Sequence, residues 1–145
     1  MKKEINNLKA LIRMKISPSN NLNIIIHELE DVISSNKVKP VNKSNMLKVM
    51  HLLRALETTL KKYLDEKSIP YSPRHGMGQI FHKYNEHTYY SLMSNISNHE
   101  LTRYKSNLSD KRNEFMHNAG IYPNNQQIQD LLQEIDICLN RILNL

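Results

Sequence analysis

Apolar residues return every three or four positions along almost the whole chain, and this spacing fits stacked helices rather than strands. Ile5, Leu8, Leu11, Ile12 and Ile16 form a first stripe, which Ser17-Pro18-Ser19-Asn20 interrupts. Leu22, Ile25, Ile26, Leu29, Val32 and Ile33 form a second, with Glu28, Glu30 and Asp31 on the opposite face. Residues 36–42 read as a connector in which Pro40 acts as a stop. Asn42 or Ser44 then caps a long helix over about 44–66, with Met46, Val49, Met50, Leu53, Leu56, Leu60, Tyr63 and Leu64 inward. Pro70 and Pro73 bracket a loop, and a further helix is predicted over about 78–93 through Ile80, Phe81 and Tyr84.

Ser97-Asn98-His99-Glu100 has the pattern of a capping box. Leu101, Tyr104, Leu108, Phe115 and Met116 continue its helix to about 118, with Gly120 as the left-handed C′ residue and Pro123 preventing continuation. A last helix over about 125–144 carries Ile128, Leu131, Leu132, Ile135, Leu139, Ile142 and Leu143. With only 3 glycines, the chain lacks the turn formers that a β-rich fold of this size needs. The expectation is an all-α, single-domain, up-and-down bundle of five or six helices spanning 1–145.

The chain carries a net charge of +6, which suits a polyanion such as RNA and equally an Asn- and Lys-rich composition with no such partner. The surplus is N-terminal. Residues 1–62 hold twelve Lys/Arg against five Asp/Glu, 63–118 seven against six, and 119–145 one against three. The lone cysteine, Cys138, has no partner for an intrachain disulfide and sits among apolar neighbours as a core thiol. No apolar run approaches the ~20 residues that span a bilayer, and no continuous apolar region follows the N-terminus. These features point to a cytoplasmic protein without a membrane partner.

Chemistry concentrates in Arg112-Asn113-Glu114-Phe115-Met116-His117. Five residues turn a helix by about 500°, roughly 140° beyond one full turn, so Arg112 and His117 do not stack directly. A long arginine near a helix end can still reach toward the histidine. Asn113 is the i+4 neighbour of His117 and shares its face. His117 falls within a turn of the helix C-terminus, where the dipole favours positive charge, and imidazole is the side chain suited to proton exchange near neutrality. A fixed cation beside a proton carrier is what cleavage of a phosphodiester needs. Spacing alone favours instead a surface arginine and a histidine bonded to a nearby carbonyl.

Arg-Asn-x-x-x-His near a helix end, followed by Gly and a final amphipathic helix, resembles the HEPN superfamily. Its hallmark is Arg, four to six residues, then His, often with Asn directly after the Arg. Leu53 through Leu60 looks like the family's preceding long helix, and Gly78-Gln79-Ile80-Phe81 like the Gly-Gln-aliphatic start of the helix between. The resemblance covers about 44–144. It implies a metal-independent endoribonuclease, with no cofactor, in which the RNA 2′-hydroxyl attacks the adjacent phosphate. The products are a 2′,3′-cyclic phosphate and a 5′-hydroxyl. His117 would exchange protons with the RNA, Arg112 would stabilise charge on phosphorus, and Asn113 would support the geometry. The resemblance further implies a homodimer with a composite cleft, and a toxin or defence role under an antitoxin or other regulatory protein. One toxin subgroup carries Tyr two positions after the His, where this chain has Ala119; the next tyrosine is Tyr122.

Other residues carry weaker signals. Lys105 and Lys111 read as RNA phosphate contacts, as does Lys61-Lys62, although each also reads as plain surface charge. Tyr89-Tyr90 reads as packing or base stacking. His75, His82, His87 and His99 lack the spacing of a metal set. His27 and His51 read as satisfied helix histidines, and Glu57 as a residue of a solvated face. The rival readings are a non-catalytic helical module that binds a nucleotide or a partner protein, and a bundle that holds RNA by charge alone.

Overall fold

A computed structural model describes residues 1–89 and 96–145, and the described chain is an all-α bundle. Its helices are α1 (Lys2–Lys15), α2 (Asn20–Ser34), α3 (Val41–Glu66), α4 (Met77–Tyr89), α5 (Asn98–Tyr104), α6 (Lys111–His117) and α7 (Asn125–Ile142). A π-helical segment, Lys105–Asp110, joins α5 to α6, so that the two form one continuous motif helix. Counted that way there are six helical rods among the described residues, as the apolar periodicity predicts.

α3 is the central rod, about 39 Å long at 1.5 Å per residue. It packs against α2, α4, α6 and α7. Val49, Leu52, Leu53, Leu56, Leu60 and Leu64 are buried along it. One apolar core runs from Ile5 to Leu143. Two buried hydroxyls inside the bundle are paired with backbone carbonyls. Thr59 donates to the Ala55 carbonyl at 2.7 Å and Tyr84 to that of Leu60 at 2.7 Å. Cys138 is buried in this core, and burial pushes its thiol well above the usual range.

Several boundaries differ from the sequence expectations, each for a local reason. Pro40 does not merely stop the connector; it caps α3, which begins at Val41, before either expected cap. Proline suits a helix entrance because the first backbone N–H groups have no intrahelical partner anyway. Ser44 is instead buried, donating to the Ser35 carbonyl at 2.6 Å. Only half of the predicted capping box at 97–100 forms. Ser97 Oγ accepts from the Glu100 N–H at 3.0 Å, but the Glu100 carboxylate accepts from Arg141 Nε at 2.8 Å. A full box appears at α7, where Asn124 and Gln127 satisfy each other's backbone N–H groups. The predicted end of α4 near residue 93 lies outside the described residues, as do the side chains of His87, Tyr89 and Tyr90.

The motif helix ends at His117, and Asn118 closes it in an extended conformation. Gly120 therefore sits beyond C′, in a turn closed by Ile121 N–H donating to the Asn118 carbonyl at 3.3 Å. Its φ of +82° is the left-handed value such a turn demands, and nothing lies within 4 Å of a Cβ added there. Gly120→Ala should therefore cost only the backbone strain, about 1 kcal/mol, read as a lower urea midpoint with unchanged slope.

Two buried tyrosines make stability sensitive to alkali. Burial pushes Tyr104 up to about 12 and Tyr84 well above its ordinary value of 10.0. The folded state thus favours the protonated phenols. Their contribution is complete below about pH 10 and is lost as pH rises toward 12. Thermal melts between pH 9 and 12 should show a progressive fall in Tm across that window.

Candidate active-site cleft

The local sequence of α4 brings it close to the motif helix. Gly76 precedes α4, and its N–H donates to Gln79 Oε1 at 3.1 Å, satisfying one of the unpaired donors at the helix start. Gly78 follows one residue into the helix. A Cβ there would meet Ser109 Oγ at 3.4 Å and Lys105 Cε at 3.6 Å, ordinary van der Waals contacts that show how closely the π segment lies beside α4. Phe81 and Tyr104 complete the contact from below, with ring centroids 6.2 Å apart and tilted by 38°.

Above that contact lies a cleft of about 720 Å³. α4 contributes Gln79, His82 and Asn85, and α5 contributes Asn98 and Thr102. The π segment adds Lys105, Ser109 and Asp110, and α6 adds Arg112 and Asn113. The π segment matters because its wider turn shifts the phase of everything that follows it. Two cations and one carboxylate thus share a lining otherwise rich in amides and hydroxyls. Such a wall can hold a phosphate and hydrogen-bond a base or sugar.

Two salt bridges fix the first part of the motif helix. Arg103 donates through Nε and Nη2 to the two Glu134 oxygens at 3.0 and 2.9 Å, the paired geometry guanidinium favours. Arg141 from α7 holds Glu100 as described above. Phe115 anchors α6 in the core at 6% exposure. Past that point the helix runs out into solvent. His117 is exposed, and Met116, expected in the core, is 36% exposed.

The predicted site residues are therefore only partly gathered. Arg112, Asn113 and Lys105 line the cleft together. His117 lies outside its lining, on the next turn of the same helix. Lys111 faces another way; it pairs with Glu114 at 3.2 Å and borders a second groove, between the motif helix and α7. His82, weighed above only as a metal ligand, and Asn85, not singled out there, line the cleft with Arg112 through tertiary packing. His82 did leave one local signal, a glutamate four residues on. His82 Nε2 lies 3.1 Å from Glu86 Oε1.

The remaining histidines and acids have structural surroundings. His51 Nδ1 lies 2.7 Å from Glu28 Oε2, whereas His27 is exposed rather than enclosed. Glu57 is half-buried and pairs with Lys61 at 3.1 Å. Among the described residues, the cluster with metal-ligand spacing is Glu28, Asp31 and His51, far in sequence from the motif. Arg54 Nη2 lies 2.7 Å from the other Glu28 oxygen and already supplies positive charge there. Among the described residues no such cluster includes His75, His82 or His99.

Compared with protein-family models, curated proteins and solved structures, the chain matches none. No helix among the described residues is long and apolar enough to cross a membrane.

Proposed function

We propose that the protein is a metal-independent endoribonuclease of HEPN type, acting in the cytoplasm as a toxin or defence effector. The observation that carries this reading is the shared cleft of Arg112, Asn113 and Lys105, with His117 one turn further along the same helix. Arg112 and Lys105 would hold and neutralise the phosphate, Asn113 would orient it, and His117 would exchange a proton with the RNA. Lys111, on its separate groove, would contact a flanking phosphate. The products would be a 2′,3′-cyclic phosphate and a 5′-hydroxyl.

A homodimer suits the exposed end of the motif helix. Met116, Ile121 and Tyr122 are 36%, 43% and 48% exposed there, an apolar surface beside His117. A two-fold pairing across it would bring two motifs into one composite cleft. A regulatory partner such as an antitoxin would then act by covering that cleft. Ala119 stands where one toxin subgroup carries its modified tyrosine, so control through that residue is not part of the proposal.

The separation of His117 from the cleft favours one rival, a module that holds a nucleotide between α4 and α6 without cutting it. RNA cleavage in EDTA separates the two. Wild-type protein should cut and leave cyclic phosphate ends, while His117→Ala, folded by circular dichroism, should not. Binding without cleavage by both proteins would replace the nuclease reading with the binding module.

A further inference from the structure

In-line displacement at phosphorus puts the attacking and leaving oxygens on opposite sides of the phosphate. One proton must leave the 2′-hydroxyl and another must reach the 5′-oxygen. A proton acceptor and a proton donor are therefore needed on opposite sides of whatever holds the phosphate. Arg112 and Asn113 hold it in the proposed site, and His117 lies on one side of them, toward the helix end. Arg112 and Asn113 themselves line the cleft, from whose lining His117 is absent. Its titratable lining among the described residues consists of His82 on α4, and Lys105 and Asp110 on the π segment, beside the fixed cation Arg112. Of these side chains, imidazole is the one suited to proton exchange, which singles out His82.

The setting of His82 fits that task. Its side chain is 65% exposed, so a ligand in the cleft can reach it. Glu86 lies one turn along α4, with a carboxylate oxygen 3.1 Å from His82 Nε2. A neutral imidazole that donates Nε2–H to this carboxylate presents Nδ1 as a proton acceptor. The same logic orients the histidine of a nucleophile–His–carboxylate triad. Lys83 pairs with the other Glu86 oxygen at 3.2 Å, bracing the carboxylate.

We infer that His82 is a second catalytic residue, the general base that takes the 2′-hydroxyl proton, with Glu86 as its positioning residue and His117 as the general acid. This rests on the ribonuclease reading above. The 2′-oxygen–phosphorus bond forms as the 2′-proton passes to His82 Nδ1. The phosphorus–5′-oxygen bond breaks as His117 gives its proton to the leaving oxygen. His82 ends protonated and His117 neutral, and exchange with water restores both.

The test uses the purified full chain in EDTA with two RNA substrates, one ordinary and one carrying sulfur in place of the bridging 5′-oxygen. A sulfur leaving group departs without a proton, so it bypasses the general acid but not the base. The wild type should show a bell-shaped pH–rate profile. His82→Ala and His82→Gln should each lose about 10²–10⁴-fold and flatten the acidic limb, with no recovery on the sulfur substrate. His117→Ala should flatten the alkaline limb and recover on that substrate. Wild-type rates in the His82 variants would overturn the inference and leave the nuclease reading standing. So would a slow His82 variant that keeps its acidic limb, or one that the sulfur substrate rescues. A wild type that cuts neither RNA would overturn both readings together.

Discussion

On the proposed ribonuclease reading, RNA cleavage should fall about 10²–10³-fold when Arg112 becomes alanine, the usual loss on removing one preorganised donor to a charged transition state. Arg112 is half-buried at the cleft wall, and Phe115, not Arg112, anchors its helix to the core. The variant should therefore keep the wild-type melting temperature. Arg112→Lys should recover little. A guanidinium offers two parallel donors in a fixed plane, while an ammonium is a point charge on a flexible stem. Single-turnover rates on one RNA, measured with melting curves for the same preparations, check both halves. A full rate for Arg112→Ala would remove the arginine from the mechanism.

Leu60→Ala will be among the most damaging single changes to the fold, costing about 2–5 kcal/mol. Leu60 is fully buried on α3. Its own carbonyl accepts the Tyr84 hydroxyl, so the site joins α3 to the helix that carries His82. Truncation leaves a cavity beneath α4, which the packed neighbours can refill only in part. At about 2–4 °C per kcal/mol for a chain of this size, Tm should fall by roughly 10 °C. Ile24→Ala, at a position 51% exposed, should change stability by less than about 0.5 kcal/mol and serves as the control.

The helices were legible because nearly every apolar stripe follows the helical period, and the bundle needs only those stripes to bury its core. Legibility failed where local spacing does not determine the outcome. Met116 keeps the period but is exposed, because none of the described residues covers that end of the helix. Pro40 acts as a start because the backbone before α3 is extended, a fact its identity alone does not carry. In the candidate site, Arg112 and Asn113 were visible as a motif. His82 and Asn85 were not, because more than twenty residues separate α4 from α6 along the chain. Their meeting depends on the packing of α4 against α5 and the π segment.

That segment has a consequence for how such a site is acquired or lost. A π turn is an α-helix holding one residue more than its turn requires. Removing one residue between Lys105 and Asp110 would let the backbone relax to a regular α-helix with every hydrogen bond intact. Because the wide turn had absorbed that residue, Arg112, Asn113 and His117 would keep nearly the same face. A deletion in the regular α-helix beside it would instead turn all three by about 100° about the axis. The cleft is thus a matter of phase. A single-codon deletion in the regular helix would re-aim the motif without altering any of its residues, whereas one in the π segment would leave its aim nearly unchanged.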